Sequence, residues 1–173
     1  HGRDRRTLLE ALSRFDVADL AHTGQRFFED RLVEFLIRDI EVGIQGTDIK
    51  AGIIKAATGP SGVTPNNLKT LQVAARLHLA TGVPITTHTS AKDRTGLAQQ
   101  DAFEAEGVDL GRVVIGHSGD TEDIEYLEEL LKRGSLIGMD RFGFGLPDEK
   151  RVATIAALCQ RGWAERMVLS HDY

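Results

Sequence analysis

Five short apolar runs in this chain each close on a residue that can hold a metal, carry a charge or move a proton. Gly52, Ile53 and Ile54 lead to Lys55, and Val83 to Thr87 lead to His88. Arg112 to Gly116 lead to His117, and Ser135 to Met139 lead to Asp140 and Arg141. Met167 to Ser170 lead to His171 and Asp172. Neutral imidazoles and carboxylates are ligands for divalent transition metals. An ammonium has donors and no lone pair, so Lys55 needs its own explanation at such a site. One is carbamylation: a free amine adds carbon dioxide and becomes an anionic carbamate, whose two oxygens can bridge two metals. Burial favours the free amine, and the run before Lys55 reads as an interior strand. The plainer reading of Lys55 alone is a strand-end lysine that snorkels to solvent.

The elements that must position these residues follow from their spacing. From 55 to 88, 117, 141 and 172 the steps are 33, 29, 24 and 31 residues. A closed (β/α)8 barrel of ~250 residues has ~31 residues per βα unit. In α/β folds the carboxyl ends of parallel strands carry the chemistry, so the polar strand ends read as one ring around one mouth. Strands are expected at 51–57, 83–88, 112–117, 135–140 and 166–171, with a weaker one at 16–20. Helices are expected at 5–15, 27–44, 66–80, 95–106, 121–133 and 147–161. Thr64 before Pro65 is a good helix start, and Gly82 a helix stop. Alternating strands and helices imply parallel βαβ units.

Composition bounds the class. The chain has 173 residues, 41% hydrophobic and 27% charged, with a net charge of −5, which is ordinary for a soluble globular domain. The acidic balance argues against nucleic acid as a partner. No apolar run approaches the ~20 residues of a membrane helix, and His1 to Arg6 open no signal peptide. The single cysteine, Cys159, excludes an intrachain disulfide and reads as a small buried hydrophobe. A cytoplasmic location is expected.

Lys55 after Gly52-Ile53-Ile54, Thr87-His88-Thr89, Ile115-Gly116-His117-Ser118-Gly119-Asp120-Thr121, Gly138-Met139-Asp140-Arg141-Phe142-Gly143 and Ser170-His171-Asp172 resemble the phosphotriesterase family. The Asp140-Arg141-Phe142-Gly143 stretch is similar to its phosphotriesterase-like lactonase branch, since true phosphotriesterases tend to have histidine at the Arg141 position. Gly2-Arg3-Asp4 and Asp39 to Ile44 also resemble that family, so the likeness runs from about residue 2 to residue 172.

The resemblance implies an amidohydrolase-type TIM barrel and a metal-dependent hydrolase. It implies two divalent metal ions, zinc or iron, cobalt or manganese, bridged by N6-carboxylysine at Lys55. His88 and His117 would bind one metal. Asp172 would bind the other and serve as general base for the bridging hydroxide. Arg141 and Asp120 match a pair that passes the proton outward, with Arg141 also near the substrate, and Phe142 and Phe144 would wall an apolar pocket. The implied activity is opening of acyl-homoserine lactones or similar lactones, with side activity on organophosphates. A homodimer, a small-molecule substrate and no membrane or nucleic-acid partner go with it.

The sequence also departs from the family pattern. The family's first strand carries a His-x-His pair, and no His-x-His occurs here. The chain is therefore expected to be one partial barrel domain over residues 1–173, holding about strands three to eight. Two other readings stand beside the hydrolase. One is a Schiff-base aldolase with Lys55 as nucleophile. The other is a truncated, non-catalytic barrel. Taken singly, His88 or His117 reads equally as a hydrogen-bonded core histidine and Arg141 as a counter-ion for Asp120 or Asp172. Asp140 reads as a strand-end turn former, and His171 as a residue pointing away from Asp172.

Overall fold

The computed structural model describes residues 17–172, with side chains from Glu29 onward. Five strands form one sheet in the order of the chain: β1 (Ile54–Ala57), β2 (Ile85–His88), β3 (Val113–Ile115), β4 (Leu136–Met139) and β5 (Met167–Leu169). All four pairings are parallel. Parallel neighbours need a crossover, and the helices supply it. They are α1 (Val17–Glu41) before β1, then α2 (Pro65–Thr81), α3 (Thr95–Ala105), α4 (Ile124–Lys132) and α5 (Asp148–Gln160) between successive strands.

Side chains alternate along each strand. Ile54 and Ala56, Ile85 and Thr87, and Val113 and Ile115 are buried toward the helices. They meet Leu71 and Leu77 of α2, Phe103 of α3 and Leu127 and Leu130 of α4 in one continuous core. Each such fully buried side chain contributes about 1.5–3 kcal/mol. The alternate residues face the other side of the sheet. There Lys55, Ala57 and Val168 are exposed, and Thr86, His88 and Val114 half-buried.

The expected helix start at Thr64 is present. Its hydroxyl accepts from the Asn67 amide, and Gly82 closes α2 in the left-handed region at φ 71°. Helix α4 is capped by Asp123 rather than Thr121: the Asp123 carboxylate accepts from the Tyr126 amide at 3.1 Å. Tyr126, Leu127, Leu130 and Leu131 then form its buried face.

Three expectations are corrected. The strand proposed at 16–20 is helical from Val17, because α1 runs unbroken to Glu41. A lone strand-like run gives way to a long stretch of good helix formers. Helix α1 stops at Glu41 rather than at Ile44, and Ile44–Gly46 makes a separate 3-10 turn. Cys159 is exposed; on α5 the buried positions are Arg151, Thr154 and Leu158, and Cys159 lies off that face. The helix proposed at 5–15 lies outside the described residues. Among the described residues, no helix is long and apolar enough to cross a membrane.

Candidate metal centre

The strand ends converge, as the spacing requires. Ala57 of β1 pairs with His88 of β2, so His88 ends its strand on the side away from the helices. Lys55 pairs with Thr86, on the same side. Its Nζ donates to the Thr87 carbonyl at 3.1 Å. Lys55 is exposed, which corrects the expectation of burial. It lies on an edge strand of the five-stranded sheet, on the side that the helices do not cover. Behind β1 lies a cavity of about 410 Å³ lined by Leu32, Leu36, Val73 and Leu77, with Glu29, Lys55 and Lys69 also in its walls.

From α3, Gln99 reaches under the same strand end. Its Nε2 donates to the His88 carbonyl at 2.9 Å and to Thr58 Oγ1 at 2.7 Å. The His88 and His117 rings meet edge to face with centroids 4.5 Å apart. The pKa of His88 is held below its ordinary value, first by burial and then by the positive charges of His117, Lys55 and Arg141, while Asp172 opposes the shift. The neutral ring that results is the form that ligates a metal.

His117 is held from behind. The Asp140 carboxylate accepts from the His117 backbone amide at 3.1 Å and from ring Nδ1 at 2.9 Å. Because a carboxylate only accepts, Nδ1 carries a proton, and Nε2 is the ring nitrogen turned toward the mouth. That Nε2 lies 3.8 Å from Asp172 Oδ2. A carboxylate behind an imidazole is the usual support of a metal-binding histidine. Two glycines make room for it. A Cβ on Gly116 would stand 2.1 Å from the Thr87 carbonyl oxygen, and one on Gly138 would stand 2.6 Å from Asp140 Oδ2. Asp140 is therefore not a simple turn former. The backbone of Gly116 lies close against that of Thr87.

Asp120 and Arg141 form the second part of the mouth. Arg141 Nη1 donates to Asp120 Oδ2 at 2.7 Å, and its guanidinium carbon lies 4.5 Å from the Phe144 ring centroid. The other Asp120 oxygen accepts from Arg151 Nη2 at 2.6 Å. Arg141, Phe144, His171 and Asp172 line a cavity of about 170 Å³. Phe142 is not in that lining. His171 stands beside Asp172 on the cavity rather than pointing away, because the chain has left the strand by then.

Three of the candidate residues share an unusual backbone. His117, Arg141 and Asp172 have φ of 59°, 64° and 63°. Left-handed non-glycine residues are uncommon and cost about 1–3 kcal/mol each, and they gather at functional sites. Each follows a strand end by two or three residues, so the same turn aims three successive side chains into the mouth.

The donor types suit a divalent transition metal: two imidazoles, one of them backed by a carboxylate, and the Asp172 carboxylate. Among the described residues, no three His, Cys, Asp or Glu side chains already stand close enough to hold a metal ion. The two histidines are a partial donor set that needs an anionic oxygen beside them, which Asp172 or a carbamate on Lys55 would supply. Sequence reasoning missed Arg151, Gln99 and the function of Asp140. Arg151 and Gln99 had one visible signal, a polar residue on the buried side of an amphipathic helix.

The chain is similar to known proteins over most of its length. The model of the phosphotriesterase family matches residues 14–173. A phosphotriesterase homology protein of Mycobacterium tuberculosis is 53% identical over 143 residues, 82% of this chain and 44% of that protein. An aryldialkylphosphatase of Saccharolobus solfataricus is 42% identical over 146 residues, 83% of this chain and 46% of that protein. The solved structure of the phosphotriesterase from Mycobacterium tuberculosis superposes with a TM-score of 0.79 at 54% identity, over 81% of this chain and 44% of that one. The chain spans less than half the length of these relatives and covers part of their barrel.

Proposed function

Because this chain belongs to the phosphotriesterase family, we propose that it carries the greater part of the active site of a metal-dependent hydrolase that opens lactone rings and has side activity on organophosphates. The observation that carries this reading is the His117 ring, whose Nδ1 donates to Asp140 while Nε2 faces Asp172 beside the His88 ring.

His88 and His117 would hold one divalent metal. Lys55, as a carbamate, and Asp172 would supply anionic oxygens for the metal site. When bound, such metals polarise a carbonyl or phosphoryl oxygen and lower the pKa of water. The protein's own residues do the rest. Asp172 takes a proton from the attacking water. Arg141, fixed between Asp120 and the Phe144 ring, presents its guanidinium to the substrate oxygen. Asp120 anchors that guanidinium through its carboxylate. Phe144 gives the pocket an apolar wall suited to an acyl chain. The apolar wall beside the arginine fork supports a lactone with an acyl chain as the first substrate class.

The test is turnover by the full-length protein of an acyl-homoserine lactone and of a dialkyl nitrophenyl phosphate. Faster lactone opening is expected. Hydrolysis of neither substrate would overturn the reading.

A further inference from the structure

Arg151 is 1% exposed, yet it has no part in the chemistry described above. All five of its N–H donors are used. Nε donates to the Leu146 carbonyl at 3.2 Å. Nη1 donates to the carbonyls of Gly119 at 2.7 Å and Asp140 at 2.8 Å. Nη2 donates to Asp120 Oδ1 and to the Phe144 carbonyl, both at 2.6 Å. A guanidinium has five donors in a fixed fork, so nothing about this side chain is left free to adjust.

The five acceptors belong to three segments, each with a candidate site group. Gly119 and Asp120 lie in the turn after β3, behind His117. Asp140 ends β4, before Arg141. Phe144 and Leu146 form the loop that walls the cavity. Asp120 is the branch point: one oxygen is on Arg151 and the other on Arg141. The Arg141 guanidinium is therefore set from two sides, through Asp120 and through the Phe144 ring, and Arg151 fixes both. Helix α5 supports the same loop once more, since Asp148 accepts from the Gly143 amide at 2.8 Å.

We propose that Arg151 is a positioning residue that governs substrate binding, by holding Asp120, the Phe144 loop and hence Arg141 in one geometry. The inference rests on the hydrolase reading and names a residue which that reading does not use. A lysine keeps the charge but has three donors on a flexible stem, so it cannot hold all five acceptors at once.

The test compares the full-length protein with its Arg151→Lys variant. Lactone kinetics are read together with amide hydrogen exchange of residues 141–147. Faster exchange in that segment is expected, with a KM rise on the order of tenfold and a smaller change in kcat. In an Arg141→Ala background the KM effect of Arg151→Lys should largely vanish, because the two act in series. A purely structural role would instead give additive effects. Should Arg151→Lys fail to fold, Asp120→Asn weakens the carboxylate's bonds to Arg151 and Arg141 together and leaves the loop carbonyls on Arg151. It should raise KM while exchange in 142–146 stays unchanged, and an unchanged KM would overturn the proposal. An active parent whose Arg151→Lys variant keeps its KM, or shows additive effects, overturns the inference alone. A parent that hydrolyses no lactone overturns the hydrolase reading, and this inference with it.

Discussion

Asp140 grips His117 twice, once at the backbone amide and once at ring Nδ1, so a single carboxylate sets both the backbone turn and the tautomer of that histidine. The carboxylate lies over Gly138, where a Cβ would stand 2.6 Å from its Oδ2. The arrangement predicts that Asp140→Asn weakens metal binding by roughly 10–100-fold, the usual effect of losing such a support. Titration of the metal-free protein against a chromogenic chelator measures it. An unchanged affinity would mean that the Asp140–His117 pair only closes a turn.

Gly116→Ala should destabilise the protein by about 2–3 kcal/mol, since the new methyl meets the backbone oxygen of Thr87, which cannot move without breaking the sheet. Gly52→Ala is the control. Nothing lies within 4 Å of a Cβ there, so its effect should stay within about 0.5 kcal/mol. Urea unfolding midpoints of the two variants decide the point.

Tyr126 gives a pH prediction remote from the mouth. Burial pushes its phenol up to about 12, against the smaller opposing effect of the Gly96 amide that donates to it. The unfolded chain therefore loses this proton near pH 10 while the folded chain keeps it, so stability falls as pH rises from 10 to 12. The loss is on the order of 2 kcal/mol. Tyr126→Phe should be less stable at pH 7, where the Gly96 amide loses its acceptor, and should show a shallower decline above pH 10. Parallel declines would refute the assignment.

Phe144 is 56% exposed and stacks on Arg141. Phe144→Ala should lower the preference for long-chain over short-chain lactones by about tenfold, through lost apolar contact and a less fixed guanidinium. The ratio of kcat/KM for the two lactones reads this out directly.

Much of this was legible from residue order alone. Each of the five main strands lies within its expected run, because a short apolar stretch after a helix stop leaves few other choices. The ring of His88, His117, Arg141 and Asp172 followed from βα spacing. The rest was hidden for physical reasons. The left-handed turns at His117, Arg141 and Asp172 carry no glycine to announce them. Asp140 is two covalent neighbours from Gly138, but its partner is twenty-three residues away. Arg151 looks like any charged residue in a first helical turn until its three partner segments fold around it. Lys55 was misjudged on burial, since an apolar run shows the side facing the helices and not what covers the other.

The central claim is that His88, His117, Asp172 and Lys55 hold catalytic metal, and metal removal tests it most directly. The full-length protein is stripped with a chelator, assayed for lactone opening, and assayed again after zinc, cobalt or manganese is returned. The account predicts loss of at least 90% of activity, recovery on adding metal, and no recovery in His117→Ala. Full activity without metal, or covalent trapping of a carbonyl substrate on Lys55 by borohydride, would contradict it.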